Sequence, residues 1–215
     1  MIQTSPSRAG KTRKRTRIQS ENEGRILDAA LALFARYGFR GTTLDQIAAE
    51  SGMSKPNLLY YFRRKQDIYA AVLGRTLEAW LNPLEAMDRN GDPRTELMGY
   101  IRRKMAFSRT NPDESRLFAT EILAGAPVLK PALENQLKQL FDRKVAVIRH
   151  WIDQDRMTDV DPQHLIFMIW ATTQHYADFT AQINVLADQV DDQQALFDGA
   201  LATIEKVLFE GLGGK

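Results

Sequence analysis

A short polar stretch in the first third of the chain carries side chains suited to contacts with a polyanion. Lys55, Asn57 and Lys65 lie close to the adjacent pair Tyr60 and Tyr61. Lysine and tyrosine commonly donate to phosphate oxygens, and such contacts fix the register of a protein on a nucleic acid duplex. We therefore expect Tyr60, Tyr61 and Lys65 to position the chain on phosphates, and Lys55 and Asn57 to read bases.

The elements that must hold these side chains are two short helices joined by a tight turn. The first is predicted at residues 44–51 and ends at Gly52, because glycine adopts the left-handed conformation without steric cost. Ser54 is then the N-cap of the second helix, and Pro56 falls in its first turn, where a missing N–H costs nothing. This arrangement is a helix-turn-helix, a unit that places its second helix in the major groove of DNA.

A purely structural hairpin is the alternative, since two capped helices around a glycine turn occur in many all-helical proteins. Packing of the pair needs only its apolar residues, such as Ile47 and Leu58, and has no need of two tyrosines beside a basic cluster. The outward polar residues therefore favour DNA binding. The predicted DNA-binding side chains are Thr43, Ser54, Lys55, Asn57, Tyr60, Tyr61 and Lys65.

Charge is distributed unevenly along the 215 residues. Residues 1–66 hold 13 lysines and arginines against 5 acids, a net charge of +8, whereas residues 67–215 hold 16 against 22, a net charge of −6. A basic end on an acidic body suits a protein that contacts nucleic acid through one end only. Residues 1–19 are predicted to be a disordered basic arm, which either lies along the DNA or is a solvated tail.

Composition argues against several other classes of protein. The chain has no cysteine, which excludes disulfides, thiolate metal sites and cysteine nucleophiles. No apolar run approaches the length of a membrane-spanning helix, and no apolar stretch follows the basic N-terminus as in a signal peptide. We therefore expect a cytoplasmic protein without membrane contact.

Catalytic signatures are also missing from the sequence. Its three histidines, His150, His164 and His175, form no close metal-ligand pair, and no glycine-rich phosphate loop or nucleophile elbow occurs. The chain is therefore not expected to be an enzyme, and no catalytic residue, metal ion or cofactor is predicted.

Apolar periodicity, with proline and glycine as punctuation, predicts an all-α chain of about nine helices. A helix from residue 20 to Gly38 braces the helix-turn-helix, so residues 20–66 form a three-helix DNA-binding domain. Residues 67–215 form a second helical domain, and the helix that links the two, from residue 66 to about 81, ends or kinks at Pro83. The other helices are predicted at residues 93–110, 113–124, 131–155, 163–186 and 191–209.

Residues 43–65 resemble the TetR family of bacterial transcriptional regulators. The resemblance covers about the first seventy residues and implies a regulator that binds double-stranded operator DNA. Two departures from the family pattern, Leu59 at a common aromatic position and Pro56 at a frequent glycine, lie in or near the reading helix, so base preference cannot be copied from another member. The matching residues are Thr43, Ile47-Ala48, Ser51-Gly52, Met53-Ser54, Tyr60-Tyr61-Phe62 and Lys65.

The rest of the chain is similar to the pyrimidine-utilisation regulators within that family. The similar segments include residues 79–84, 115–129 and 161–179. This resemblance implies a homodimer, joined through the last two helices, whose DNA binding is relieved by uracil or thymine. It leaves open the operator sequence, the choice between repression and activation, and the choice between the two pyrimidines.

A site for uracil, which is flat and neutral, needs an aromatic face, apolar walls and a few paired polar groups. Phe167, Trp170 and Gln174 recur at helical spacing on one face, where Trp170 offers a stacking surface and Gln174 a carboxamide that donates and accepts in one plane. Trp170 taken alone is better explained as a core aromatic. The predicted ligand-binding side chains are Trp80, Phe118, Glu121, Phe167, Trp170 and Gln174.

Two other binding functions stay open at this point. One is a regulator of an efflux or other catabolic operon that responds to a different, small hydrophobic ligand. The other is a nucleoid-type protein that binds DNA without sequence preference.

Overall fold

The computed structural model of the chain describes residues 17–187 and 192–211. Across these two ranges the chain forms ten helices and no strand, which confirms the predicted all-α class and adds one helix to the expected count. The predicted basic arm lies mostly outside the described residues. Its last three positions, residues 17–19, are helical rather than disordered.

Three helices form the N-terminal unit: α1 (Arg17–Gly41), α2 (Leu44–Glu50) and α3 (Lys55–Tyr61). Gly38, with a φ of 69°, interrupts α1 and turns the chain toward α2, a conformation that only glycine adopts readily. All three helices contribute to one apolar core, which is made of Ile26, Ala30, Phe34, Ile47, Ala48 and Leu58.

The turn chemistry predicted for the helix-turn-helix is confirmed. Gly52 has a φ of 67° and separates α2 from α3. Thr43 caps α2 in a reciprocal box with Gln46, and the Ser54 hydroxyl caps α3 by accepting from the backbone N–H of Asn57. Pro56 lies in the first turn of α3. These caps end both helices sharply, so the direction of α3 is fixed by local sequence.

Helix α4 (Lys65–Glu85) starts in the DNA-binding unit and runs into the rest of the molecule, across the predicted boundary at residues 66 and 67. The sequence predicted that this helix reaches only about residue 81 and ends or kinks at Pro83. The structure continues it for about one more turn, to Glu85. The proline lies in the last turn, and Lys144 Nζ donates to the carbonyls of Glu85 and Met87, both at 2.8 Å, so the helix end is capped beyond it.

The next three helices enclose the middle of the molecule. They are α5 (Pro93–Thr110), α6 (Pro112–Leu123) and α7, which runs over residues 130–153. The first part of α7 contains a π-helical turn at Leu133–Leu137. Such turns widen a helix and are frequent near functional sites.

The last helices are α8 (Pro162–Asp178), α9 (Thr180–Leu186) and α10 (Gln193–Phe209). A single helix was predicted at residues 163–186, but the structure breaks it at Phe179. The Thr180 hydroxyl donates to the carbonyls of Tyr176 and Ala177, and this local bonding competes with the continuing backbone ladder.

One continuous apolar core joins the N-terminal unit to the helices behind it. α6 packs against α1, α4 and α8, and α10 packs against α5. No helix in the described ranges is long and apolar enough to cross a membrane.

Candidate functional site

The outward face of α3 carries the side chains predicted to contact DNA. Asn57 is exposed, and Tyr60 is 71% exposed. Lys55 is half-exposed, and its Nζ lies 2.9 Å from Oδ2 of Asp45 on α2. A base-reading role for Lys55 therefore requires this surface ion pair to open, which costs little because exposed pairs are weak.

The two tyrosines connect α3 to the start of α1. Asn22 Nδ2 donates to the Tyr61 hydroxyl at 2.9 Å, and Gln19 Nε2 donates to the Tyr60 hydroxyl at 3.3 Å. Because both phenol oxygens act as acceptors here, each keeps its own O–H for another acceptor, such as a phosphate. The two rings stand perpendicular to each other, with centroids 5.2 Å apart.

Lys65 occupies a different environment from the one its predicted role implied. Its Nζ donates to the backbone carbonyls of Phe39 and Thr42, both at 2.6 Å, and lies 4.5 Å from the centre of the Phe39 ring. Two of its three N–H groups therefore hold the connection between α1 and α2. The structure makes Lys65 a brace of the helix-turn-helix, and a phosphate contact is left only to its third N–H.

A cavity of about 640 Å³ lies behind the DNA-binding unit, between α4, α5, α6, α7 and α8. Four of the six predicted ligand residues line it: Trp80, Phe118, Trp170 and Gln174. Trp80 and Phe118 lie with ring centroids 4.9 Å apart, at an angle of 35°. The π-helical turn of α7 contributes Leu133 and Leu137 to the opposite part of the wall.

The orientation of Trp170 is fixed by a hydrogen bond. Its Nε1 donates to the hydroxyl of Tyr100 on α5 at 2.6 Å. Because Tyr100 is buried, this bond holds the indole plane in the wall rather than leaving it free to rotate. Gln174 is half-buried one turn further along α8, so its carboxamide and the Trp170 ring reach the same cavity.

The structure corrects two of the predicted ligand residues. Phe167 is 46% exposed and stacks on Phe141, with centroids 5.2 Å apart, outside the cavity wall. Glu121 points away from the cavity: its Oε1 accepts from the backbone N–H groups of Val128 and Leu129, and its Oε2 accepts from the Tyr69 hydroxyl. Helical spacing places Phe167 on the same face of α8 as Trp170, but only part of that face lines the cavity, and Phe167 lies outside that part.

Sequence reasoning missed two charged side chains in the same wall, the buried Lys104 and the half-buried Asp178. Lys104 is 3% exposed, and its Nζ lies 3.7 Å from the centre of the Trp80 ring. Asp178 accepts from the Ser115 hydroxyl at 2.6 Å, and burial raises the pKa of its carboxyl. The burial of Lys104 could have been predicted from the sequence, because it follows Ile101 at a spacing of three on an otherwise apolar face of α5.

A second, apolar groove of about 400 Å³ runs between α8 and α10. Only Phe197 and Ala200 of α10 are buried. Leu201, Ile204 and Leu208 are half-buried against the core and Val207 is 40% exposed, so the apolar face of that helix is only partly covered within the chain. The groove is lined by Met168, Ile169, Ala171, Thr172, His175, Tyr176, Ala200, Thr203, Ile204, Val207 and Leu208.

Neither the cavity nor the rest of the described chain offers a metal centre. In the described ranges, no three His, Cys, Asp or Glu residues lie close enough together to hold a metal ion.

Comparison with known families divides the chain at the helix that links its two parts. Residues 26–72 match the family described as bacterial regulatory proteins of the tetR family. Residues 73–215 match a second family, described as the C-terminal region of YcdC-like proteins.

Individual regulators of the same kind also match most of the chain. The chain is 44% identical, over 201 residues, to the HTH-type transcriptional regulator RutR of Escherichia coli K12, a match that covers 94% of this chain and 95% of that protein. Two solved structures share the fold. The TetR-family regulator PfmR of Thermus thermophilus aligns with a TM-score of 0.66 at 20% identity, over 88% of this chain and all of that one. A TetR-like regulator of Rhodococcus aligns with a TM-score of 0.64 at 22% identity, over 90% and 97%.

Proposed function

Because the chain belongs to the TetR family of bacterial transcriptional regulators, we propose that it is a homodimer that leaves its operator when uracil or thymine enters the cavity. The family and its relatives are DNA-binding regulators, and the chain is not an enzyme. The pyrimidine, the release and the dimer are the proposed parts, and a cytoplasmic location stays a prediction.

One observation carries the proposal: the cavity and the helix-turn-helix share a helix. Trp80 lines the cavity near the end of α4, and Lys65 at its start holds the connection that leads into α2. A ligand that displaces Trp80 therefore acts on a continuous rod that reaches the DNA-binding unit. A ligand shifts an equilibrium only if it binds one of the two arrangements more tightly.

Chemistry of the walls supports a pyrimidine. Trp80, Phe118 and Trp170 give the cavity aromatic faces, against which a flat ring stacks favourably. Gln174 supplies a donor and an acceptor in one plane, which matches the N–H and carbonyl of an imide edge. Identity of 44% to RutR agrees with the pyrimidine resemblance found in the sequence.

The groove between α8 and α10 supports the dimer. These are the helices that the family resemblance assigns to the interface, apart from the short α9 between them. Met168 of α8 and Val207 of α10, which line the groove, are 42% and 40% exposed. Two copies joined through this face place two α3 helices on one duplex, and half-sites then lie about one helical turn or a multiple of it apart.

The size of the cavity favours a second candidate, a larger hydrophobic effector of an efflux or catabolic regulator. A volume of about 640 Å³ is more than a single pyrimidine ring fills, and several leucines line it. The two candidates differ in what they require of the polar wall, because a hydrophobic effector gains nothing from the Gln174 carboxamide.

The test uses the full chain and DNA sites selected from a random pool. Operator binding is measured with uracil, thymine and cytosine added in turn, for the wild type and for Gln174→Ala. We expect uracil or thymine to release the wild type and cytosine to do so poorly, because cytosine reverses part of the donor–acceptor edge. Gln174→Ala should bind the selected sites but lose the response, whereas Gln163→Ala, an exposed glutamine on the same helix, should keep it.

Two outcomes would reject the proposal. Equal release by all three bases excludes an imide clamp at Gln174. No release by any base, with release by a lipophilic compound, favours the larger hydrophobic effector.

A further inference from the structure

Lys104 is the most unusual polar group in the cavity, because it is buried without a hydrogen-bond acceptor. It lies in the middle of α5, lines the cavity and is 3% exposed. In the part of the chain that the structure describes, no oxygen accepts from its Nζ and no carboxylate lies within ion-pair distance. The Trp80 ring, 3.7 Å from Nζ, is its nearest electrostatic partner. A buried ammonium normally finds acceptors for its N–H groups, so this one has unmet donor capacity directed at an open space.

A second donor in the same wall is also unpaired. The Nε1–H of Trp80 is buried and has no acceptor among the described residues. The wall formed by Trp80 and Lys104 therefore has an excess of donors over acceptors. A lysine that packs only for structure, such as Lys144, instead donates to two backbone carbonyls. This contrast separates a bracing lysine from one left available to a ligand.

Charged or titratable side chains in the cavity wall around Lys104 come from α5, α6 and α8. α10 also packs on α5 but lines no part of the cavity, and its Glu205 is paired with Arg94 and Arg102. α8 contributes Asp178, which attracts the ammonium from beyond ion-pair distance and is itself hydrogen-bonded to Ser115. α6 contributes Arg116, which is paired with Asp113. α5 itself contributes Tyr100, whose pKa is raised well above its usual range by burial. α4 presents only the Trp80 ring and leucines. One acid and one paired guanidinium leave the amine poorly compensated.

We propose that Lys104 is the main hydrogen-bond donor to the effector, and that above neutrality the binding of a flat ligand with carbonyl acceptors brings nearly one proton onto its amine. This inference rests on the proposed function, since it names the chemistry by which that cavity holds its ligand. A carbonyl oxygen that accepts from Nζ stabilises the ammonium over the neutral amine. The ligand class is a cyclic imide or another planar ring with at least one carbonyl beside an N–H, and the N–H is available to Asp178 or Gln174.

The proposal has a definite pH dependence. Burial lowers the pKa of Lys104 to about 7, opposed in part by the charge of Asp178. Without ligand, the amine of Lys104 is then mostly charged below neutrality and mostly uncharged above it. A ligand that prefers the ammonium binds most tightly at low pH, and binding above neutrality must first bring in a proton. Affinity for uracil should therefore fall about tenfold between about pH 6 and about pH 8.

Calorimetry on the wild-type chain tests this without any substitution. Uracil is titrated at about pH 8 in phosphate and in Tris, two buffers whose protonation enthalpies differ strongly. We expect the observed binding enthalpies to differ by an amount that corresponds to nearly one proton taken up per protomer. At about pH 6, where the amine already carries its proton, the binding enthalpy should be nearly the same in phosphate and in an amine buffer suited to that pH.

Variants then assign the proton to Lys104. Lys104→Met should lose at least about tenfold in affinity at about pH 6, and it should lose both the pH dependence and the buffer dependence. Lys104→Gln, which keeps a neutral donor, should retain part of the affinity and still lose the pH dependence. Lys138→Met, on the surface of α7, should behave as the wild type. Operator binding without ligand serves as the check that each variant is folded.

The possible failures are distinguishable. If uracil and thymine do not bind at any pH, the pyrimidine proposal itself fails. If they bind with equal affinity at both pH values and with no buffer dependence, the effector proposal stands and the role of Lys104 is wrong. If affinity instead rises with pH, the ligand does not favour the ammonium of Lys104, and the inference is overturned.

Discussion

The role of a side chain in this protein depends on the few atoms around it, and the residue type alone does not assign that role. Lys55, Lys65, Lys104 and Lys144 are all lysines on helices. One is paired on the surface, one braces a turn, one faces a cavity without an acceptor and one caps a helix end. The difference comes from which carbonyls and carboxylates lie within reach.

Lys104 also leads to a prediction about stability. Because burial lowers its pKa to about 7, the unfolded chain, with an ordinary lysine pKa, binds more protons than the folded chain between about pH 7 and about pH 10. Protonation of this group therefore favours unfolding, and its contribution to the free energy of unfolding rises as pH rises through that window.

The measurement is the difference in free energy of unfolding between Lys104→Met and the wild type, followed by denaturant titration in the absence of ligand. The variant should be the more stable protein at about pH 7 and should lose that advantage toward about pH 10. An advantage that does not change with pH would show that the amine is not desolvated in the folded state.

At the scale of the elements, the two short helices of the DNA-binding unit are held by turn chemistry rather than by length. Isolated helices of seven residues are not stable in water, so their caps and packing must supply the order. Gly52 is the critical position, since a side chain is strained at its positive φ and a Cβ there would force the Arg25 guanidinium to shift. The Arg25 guanidinium also donates to the carbonyl of Ser51 at 2.8 Å, which ties the turn to α1.

Gly52→Ala should therefore destabilise the chain by about 1–2 kcal/mol, because alanine is strained at this φ and its Cβ would lie 2.9 Å from Arg25 Nη2. The same change at Gly24, a helical position on α1 with no atom within 4 Å of the new Cβ, should stabilise by about 0.5–1 kcal/mol.

Thermal unfolding and operator affinity, measured on both variants, give the comparison. Gly52→Ala should lose DNA binding beyond what its stability explains, since α3 changes direction. Equal effects of the two substitutions would mean that the turn tolerates a side chain and that Gly52 does not set the direction of α3.

At the scale of the whole molecule, α6 connects the cavity to the DNA-binding unit. Phe118 on α6 lies against Trp80 in the cavity, and one turn later Glu121 accepts from the Tyr69 hydroxyl. The Tyr69 ring in turn packs edge-on against Phe34 and close to Phe39, with centroids 5.1 and 4.9 Å away. Phe39 is the residue whose carbonyl and ring hold Lys65. This contact path gives a physical link between ligand and operator.

Tyr69→Phe tests that link by removing one hydroxyl and leaving the ring. Burial raises the pKa of Tyr69 to about 12, so the hydroxyl stays protonated and donates to Glu121 throughout the working range. Without it, we expect uracil affinity to stay within about twofold, and the uracil-induced loss of operator affinity to shrink about fivefold, equivalent to about 1 kcal/mol of coupling.

The matched control is Tyr37→Phe, the same change at an exposed tyrosine of α1. It should leave the response to uracil intact. A Tyr69→Phe variant with a full response would show that the coupling passes through α4 alone.

Much of the fold could be predicted from the sequence because its signals are local. Caps at Thr43 and Ser54, the positive φ of Gly52 and the proline in the first turn of α3 all depend on residues within one turn of each other. The boundary errors have local causes as well, at Phe179, where Thr180 bonds back to α8, and at Pro83, where Lys144 from a distant helix caps the end.

The sequence by itself determined that this is an all-helical regulator with a helix-turn-helix, and it identified four of the cavity residues. Only the tertiary structure decided the rest of the site. It removed Phe167 and Glu121 from the cavity, gave Lys65 a bracing role and brought Lys104 beside Trp80. The physical reason is range: a cap is specified by neighbours in sequence, whereas the environment of a buried charge is specified by which helices pack around it.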